Sequence, residues 1–337
     1  MEIFKRISSY ITYLAIGISA LMIFDKIAPS VMDNFVARSS LLFFTALFAF
    51  ILEKLILNSA RVQPYSIAII GLPQSGKTTL IISLFQEIFR KKVLRVQATL
   101  KGESTIARVN DLMEKKESGI PFGPTDDQTM FAYRTNIRTR ELFFKKEYRV
   151  EFGDYPGEYS ESLATDDYLL KGDKKYVSDL KKSEFFKWCL EAQAYIFVVD
   201  IYKYLYSPSK EEFIASSKRL VRESCQFFID SSSENANTIK KRPVLLIFNK
   251  MDLFQRRNQE ERITDDGILP GLIELENKLY SESCRLLEKD FDDLIIFLNS
   301  EFKQFHVLFT SNFATLNNNL VDIKNIIKHI LPTRAKL

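Results

Sequence analysis

Residues 71–78 read Gly-Leu-Pro-Gln-Ser-Gly-Lys-Thr, and they constrain the fold of this 337-residue chain more than any other segment. A strand-like apolar run precedes them at residues 65–70, and the apolar-periodic stretch at residues 80–85 is typical of a helix. Strand, glycine-bounded loop and helix in this order form a cradle in which main-chain N–H groups surround a phosphate. The segment therefore predicts a phosphate-binding loop on an α/β sheet.

Each residue type in this loop suits a bound phosphate. Gly71 and Gly76 permit the tight backbone path that close approach to a phosphate requires. Lys77 is expected to reach the β- and γ-phosphates and to act in catalysis, and the Thr78 hydroxyl is expected to ligate Mg²⁺. The predicted nucleotide contacts in this loop are Gly71, Gln74, Ser75, Gly76, Lys77, Thr78 and Thr79.

Three later segments place polar residues at the ends of strand-like runs. Residues 148–154 end in an aspartate, Asp154, which Tyr-Pro-Gly follows. The buried run at residues 243–248 leads into Asn-Lys-Met-Asp at residues 249–252, and a third run at residues 307–309 leads into Thr-Ser-Asn. Because the carboxyl ends of parallel strands meet at one edge of a sheet, these groups are expected beside the phosphate loop.

These segments stand in the order typical of the Ras-like and translation-factor class of P-loop GTPases, and residues 65–330 resemble that class. The resemblance implies that Asp154 holds Mg²⁺ and that the main chain of Gly157 binds the γ-phosphate. It also implies GTP and GDP as nucleotides and Mg²⁺ as the cofactor. The expected function is a molecular switch that hydrolyses GTP.

The resemblance further assigns guanine recognition to the two later strand ends. Asp252 is expected to accept hydrogen bonds from guanine N1 and N2, a donor pair that adenine lacks. Asn249 is expected to brace the loops, and the Lys250 stem to pack on the base. Main-chain groups near Ser311 and Asn312 are expected to meet the guanine oxygen.

The threonine that senses the γ-phosphate is predicted at Thr125, in the Pro-Thr that precedes a predicted strand. This Pro-Thr resembles the switch I segment of Ras-like proteins, whose threonine coordinates Mg²⁺. Thr129 is the alternative, four residues further on. The predicted catalytic residues are Lys77, Thr125, Gly157 and Glu158, and the predicted metal ligands are Thr78, Thr125 and Asp154.

Two positions depart from the Ras-like pattern. Glu158 stands where Ras-like proteins place the glutamine that orients the attacking water, and Pro73 replaces a glycine of the phosphate loop. A carboxylate adds negative charge beside a transition state that is already rich in it, so slow hydrolysis is expected. Arg134, Arg138 and Arg140 are interpreted as exposed strand residues, with a catalytic charge from one of them as the alternative.

The fold class expected for residues 61–337 is α/β, a doubly wound P-loop GTPase sheet with an early hairpin. Insertions are expected at residues 91–123 and 157–193, and a protein partner is expected at the switch regions and these insertions. The predicted strands lie at residues 65–70, 130–139, 146–152, 194–200, 243–248 and 306–309.

The first sixty residues are interpreted as a membrane anchor. Residues 7–24 carry no charge, and a second apolar run at residues 39–52 can extend to residue 57. A transmembrane hairpin of two helices, about 7–24 and 37–57, is predicted. A cleaved signal peptide, two buried core helices, and a single span followed by an interfacial helix are the alternatives.

This plan of a membrane segment before a GTPase is similar to that of the signal-recognition-particle receptor β-subunit. The expected partner of the first helices is the lipid bilayer, and the GTPase domain is expected to face the cytoplasm, where GTP is found. A non-catalytic GTP-binding scaffold and an NTPase subunit of a membrane-embedded complex are the alternatives. The net charge of +4, from 47 basic and 43 acidic residues, argues against nucleic acid, and the three scattered cysteines against disulfides.

Overall fold

The computed structural model describes residues 62–89, 96–120, 122, 131–141, 144–155, 184–231, 236–254, 272–311 and 323–331, with a few residues between 18 and 48. The chain divides into two compact units. The larger unit comprises residues 63–143 and 148–337, and the smaller comprises residues 1–62 with 144–147.

The strands are β1 (Gln63–Gly71), β2 (Val96–Leu100), β3 (Phe131–Glu141), β4 (Phe144–Asp154), β5 (Ala194–Asp200), β6 (Pro243–Asn249) and β7 (Gln304–Thr310). The helices are α1 (Lys77–Phe89), α2 (Glu103–Glu117), α3 (Glu184–Glu191), α4 (Ile201–Tyr206), α5 (Lys210–Ser231), α6 (Ala236–Ile239), α7 (Leu272–Asp290), α8 (Asp292–Glu301) and α9 (Ile323–Ile330).

The described strands form one sheet in the order β2-β3-β4-β1-β5-β6-β7. Strand β1 pairs in parallel with β4 and β5, and the parallel pairing continues through β6 to β7. Strands β3 and β4 are neighbours joined by two residues, and so short a connection fits only an antiparallel hairpin. The six predicted strands and the early hairpin are therefore confirmed.

Strand β2 was not predicted from the sequence. It lies in the inserted segment 91–123 and pairs antiparallel with β3, with Val96 opposite Thr139. A run of five residues with a single buried side chain is too short to indicate a strand without its partner. The insertion thus extends the sheet at its edge, and α2 follows directly.

Helices cover both faces of the sheet, as the doubly wound prediction requires. Ile67 and Ile69 of β1 pack with α1, α2 and α9, whereas Ala68 and Ile70 pack with α3, α5, α7 and α8. Every residue of β5 and β6 is buried, because helices shield these central strands from both sides. The parallel strands all end at the same edge, and this edge carries the residues discussed next.

The two predicted membrane helices lie mostly outside the described residues. Within the part of the chain that the structure describes, no helix reaches the combination of length and apolarity that a membrane crossing needs. The described residues of this segment are helical and include exposed apolar side chains, such as Met22 and Phe44, whose exposed fractions are 67% and 65%.

Candidate nucleotide-binding site

The loop between β1 and α1 has the tight backbone path expected of a phosphate-binding loop. Gln74 and Gly76 adopt positive φ angles of 65° and 84°. The turn is closed by a hydrogen bond from Ser75 N to Leu72 O, and Leu80 N donates to Gly76 O as α1 begins. These turns place the loop directly before the N-terminus of α1, where the helix dipole favours an anion.

Gly71 is required by the close packing of β1 against β5. A Cβ atom at this position would lie 2.8 Å from Val198 O and 2.8 Å from Ser75 Oγ. The first contact is with backbone and cannot be relieved by a side-chain rotation. Any larger residue would therefore displace the start of the phosphate loop.

Lys77, the loop lysine, is buried, with an exposed fraction of 6%. Its ammonium group donates hydrogen bonds to Gly71 O at 2.9 Å and to Leu72 O at 3.2 Å. The charge is thus held over the loop by main-chain oxygens of the first two loop residues. This places it where Lys77 was expected, beside the phosphate cradle.

Thr78 and Asp154 meet across the sheet edge. The Thr78 hydroxyl donates to Asp154 Oδ2 at 2.7 Å, and Asp154 is fully buried at the end of β4. Burial raises the pKa of Asp154, and the Thr78 hydrogen bond and the charges of Lys77 and Arg108 oppose that rise.

The Thr78–Asp154 pair fits a magnesium ion. Asp154 Oδ1 is buried and has no hydrogen-bond partner within the described part of the chain. Buried polar atoms normally have partners, so this oxygen is suited to a bound cation or its water. A hydroxyl and a carboxylate are the hard oxygen donors that Mg²⁺ prefers.

Asn249 connects the base side of the site to the phosphate side. Its Nδ2 donates to Ser75 O in the phosphate loop at 3.0 Å, and its Oδ1 accepts from the Thr310 hydroxyl of β7 at 3.1 Å. Asn249 is fully buried. The bracing role predicted for this residue therefore matches the position in which the structure places it.

The next residues of the Asn-Lys-Met-Asp segment also converge on the loop. Lys250 adopts a φ of 69° and its ammonium donates to Gln74 O at 2.9 Å. Asp252 is buried, and its Oδ1 accepts from the Ser311 hydroxyl at 2.8 Å. Two of the predicted base contacts, Asp252 and Ser311, are thus direct neighbours.

Asp200 belongs to this site and was missed from the sequence. It is the last residue of β5 and is paired in register with Asn249. Its carboxylate lies 2.8 Å from the Lys250 ammonium and accepts from Tyr202 N, which caps α4. Its position at the end of a buried parallel strand, next to the strand that carries the Asn-Lys-Met-Asp segment, is the signal that could have identified it.

Four predicted site residues lie outside the described residues: Thr125, Gly157, Glu158 and Asn312. The choice between Thr125 and Thr129 therefore stays a prediction. Thr79 lies in the first turn of α1, where its main-chain oxygen accepts from the Ser83 hydroxyl.

The arginines of β3 were interpreted as exposed strand residues. Arg134 is exposed and forms an ion pair of 3.2 Å with Glu151, and Arg138 is exposed as well. Both observations confirm the prediction for these two residues.

Comparison with known proteins identifies the family. The sequence profile of the family described as Double-GTPase 2 matches residues 65–269, more than half of the chain. The chain belongs to the Double-GTPase 2 family. It is accordingly a GTPase, a protein that binds guanine nucleotide. The match to the Double-GTPase 2 profile includes the phosphate loop, Asp154 and residues 249–252, and it ends before Ser311.

No curated protein matches this Double-GTPase 2 member. Among solved structures, a crystal structure of the bacterial selenocysteine-specific elongation factor EF-Sec shares 15% sequence identity with it, at a TM-score of 0.33. The alignment covers 80% of this chain and 28% of the elongation factor, so the chain spans less than a third of that protein's length.

Proposed function

We propose that the chain is a Mg²⁺-dependent GTP switch held at a membrane by its N-terminal helices. The hydrogen bond from Asn249 to Ser75 O carries the nucleotide part of this proposal. This hydrogen bond connects the end of β6, which would read the base, to the phosphate loop, which would hold the phosphates. A nucleoside triphosphate bound there would contact the strand end with its base and the loop with its phosphates, so the two binding contacts would be made to one connected part of the protein.

Guanine selectivity is assigned to Asp252. Its carboxylate is buried beside Ser311, and a carboxylate in this place can accept the two donors of the guanine edge. Adenine offers neither of these two donors, so the carboxylate would keep, among the described residues, only the Ser311 hydroxyl as a partner, and an under-satisfied buried charge is costly. The Lys250 ammonium donates to Gln74 O and to the Asp200 carboxylate, and the apolar stem of this side chain would pack on the base.

The phosphate end is assigned to Lys77, Thr78 and Asp154. Lys77 would hold the β- and γ-phosphates, while Thr78 and Asp154 would hold Mg²⁺, which neutralises charge on the phosphate oxygens. Thr125 and Gly157 would order around the γ-phosphate, and release of phosphate would relax them. Glu158 would hold the attacking water less well than glutamine, which limits the hydrolysis rate.

Membrane attachment is supported by apolar exposure in the N-terminal segment. Its described residues include exposed apolar side chains spaced four apart, as in Phe43 with Leu47 and Phe44 with Phe48. Such a surface is stable against lipid, whereas water disfavours it. With GTP available in the cytoplasm, the GTPase domain would face that compartment, and a partner protein would bind at the switch regions and insertions.

A nucleotide titration with a turnover assay tests the proposal. Fluorescent GTP, GDP and ATP analogues are titrated onto the full chain in detergent, with Mg²⁺ or with EDTA, and phosphate release is followed under multiple turnover. Selective GTP and GDP binding that tightens with Mg²⁺, together with turnover, supports the proposal. Equal affinity for ATP and GTP contradicts it, and binding without turnover favours the non-catalytic scaffold.

A further inference from the structure

Helix α2 is part of the insertion between α1 and the predicted switch I, and it is firmly packed. Val109 and Leu112 are buried in the same apolar cluster as Phe85 of α1. At the C-terminal end of the helix, the Lys116 ammonium donates to Ser83 Oγ at 2.5 Å and to Gln86 Oε1 at 2.9 Å. These contacts attach the inserted helix to the helix that follows the phosphate loop.

The N-terminal half of α2 is attached to β3. Arg134 N donates to the hydroxyl of Thr105, which is buried, and Lys101 N donates to Arg134 O at 2.9 Å. Helix α2 therefore contacts both α1 and β3, and side chains on its inner face are held in place.

Arg108 lies on this helix, half-buried and fixed by the start of β3. Its Nε donates to the Tyr133 hydroxyl at 3.1 Å, and its guanidinium lies 4.6 Å from the centroid of the Phe131 ring. A hydrogen bond and a cation–π contact restrict the side chain. Phe131 and Tyr133 come directly after the segment that contains Thr125, so Arg108 is anchored at the base of the predicted switch I.

The same aromatic cluster extends along β4 toward Asp154, the carboxylate proposed to hold magnesium. The Phe85 ring packs against Tyr133 and against Phe152, with centroid distances of 6.3 Å and 5.7 Å, and Phe152 is two residues before Asp154. Strands β3 and β4 are neighbours in the sheet and run antiparallel, and the Arg134–Glu151 ion pair of 3.2 Å joins them, so the start of β3 and the end of β4 lie at the same sheet edge. Arg108, which contacts Phe131 and Tyr133 at the start of β3, therefore lies at the sheet edge that carries Asp154.

We propose that Arg108 is a catalytic residue that supplies positive charge, from within the same chain, to the γ-phosphoryl group during GTP hydrolysis. This inference rests on the phosphate site proposed above. The oxygen of water attacks the γ-phosphorus, and the bond to the β–γ bridging oxygen breaks with its electron pair staying on GDP. Both protons of the water leave with inorganic phosphate or pass to solvent. Negative charge grows on the bridging oxygen during this step, and a fixed guanidinium stabilises it.

The test compares three variants of the full chain, purified in detergent. Arg108→Ala removes the guanidinium, and Arg108→Gln removes the charge while keeping a donor for the Tyr133 hydroxyl. Arg134→Ala is the matched control, because Arg134 is an exposed arginine of β3 that pairs with Glu151. Turnover, affinity for a non-hydrolysable GTP analogue, melting temperature and trapping of GDP with aluminium fluoride are measured for each.

We expect both Arg108 variants to lose turnover by about 100-fold or more, the range for one transition-state donor. Their analogue affinity and melting temperature are expected to stay close to the parent's, while aluminium fluoride no longer traps GDP. Added guanidinium should restore part of the turnover of Arg108→Ala only. Arg134→Ala should resemble the parent.

Three results overturn the assignment. Turnover of Arg108→Gln within about threefold of the parent excludes a transition-state role. Parallel losses of turnover, affinity and melting temperature in both variants show a purely structural role. A parent chain that binds GTP but does not turn it over also rejects a catalytic Arg108, and a parent that binds no GTP rejects the proposed function itself.

Discussion

The Lys250 ammonium lies 2.8 Å from the Asp200 carboxylate, at the adjoining ends of β6 and β5. The side chain of Asp200 is 1% exposed and that of Lys250 is 26% exposed, so the carboxylate of the pair is shielded from solvent. The same ammonium donates to Gln74 O in the phosphate loop. One lysine thus joins a strand end that would read the base to the loop that would bind phosphate.

We expect Asp200→Asn to weaken GTP and GDP binding by about 1–3 kcal/mol, the cost of removing one partner of a charge-assisted hydrogen bond. Asparagine can still accept from Tyr202 N, so the cap of α4 is retained. Titration with fluorescent GDP measures the effect. Asp293→Asn is the control, because that half-exposed acid pairs with Lys218 and Arg222 away from the nucleotide. If Asp200→Asn binds GDP as tightly as the parent, Asp200 does not contribute to nucleotide binding.

Asp252→Asn is expected to shift the preference from guanine to xanthine nucleotides. The amide of asparagine offers a donor to the C2 oxygen of xanthine, where guanine carries an amino group. Loss of the charged contact should weaken GTP binding by about 2–4 kcal/mol. Competition between GTP and XTP for a fluorescent analogue measures the preference. A variant that keeps the parent's preference for GTP would show that another residue reads the base.

Hydrolysis without a partner protein is expected to be slow, below about 1 s⁻¹. The reason is Glu158 in place of a water-orienting glutamine, together with Pro73 in the phosphate loop. Single-turnover phosphate release from the purified chain gives the rate. Lys77→Ala and Thr78→Ala are the controls, and both should abolish turnover and weaken nucleotide binding. A faster rate in the parent would mean that Glu158 serves as well as glutamine.

We expect the folded protein to lose stability in mild acid because of its two histidines, His306 and His329. The rings of His306 on β7 and His329 on α9 lie with their centroids 3.9 Å apart. Partial removal from water lowers the pKa of both, the Lys328 charge adds to the effect, and His306 lowers the pKa of His329 further. The unfolded chain therefore binds protons more readily than the folded one.

The stability contributed by neutral histidines is fully present above the ordinary pKa of about 6.5 and is lost as the pH falls through the lower folded values. The melting temperature should be level between pH 8 and 7 and should fall between pH 6.5 and 5.5. His329→Gln should make that fall shallower, since the remaining imidazole has no histidine beside it. An unchanged slope in the variant would assign the acid sensitivity to other groups.

Cysteine labelling in intact cells is expected to show the membrane hairpin. A cysteine at position 30 should react with an impermeant reagent, whereas one at position 3 should not, because two spans return the chain to the cytoplasm. Cys189 and Cys225 are buried, so a Cys284→Ser background limits the native signal. Labelling at position 3 alone, or at neither position, rejects the hairpin.

The sequence was sufficient wherever residue type and local order decide the structure. Glycines and a lysine at fixed spacing after a buried strand define the phosphate loop, and the loop geometry follows from the strand and helix on either side. Asp154 and Asn249 could be placed for the same reason, because Asn249 ends a continuously apolar strand and Asp154 ends a strand in which apolar residues alternate with polar ones. Strand β2 could not be predicted in this way, because its five residues form a strand only by pairing with β3.

By itself, the sequence predicted six of the seven described strands, the phosphate loop and the residues that would read the base. Only the tertiary structure decided that Asp200 pairs with Lys250 and that Arg108 lies beside Tyr133. These residues are far apart along the chain, and no short motif connects them. Their contacts depend on strand order and on how an inserted helix packs, which are non-local features that the pattern of neighbouring residues does not specify.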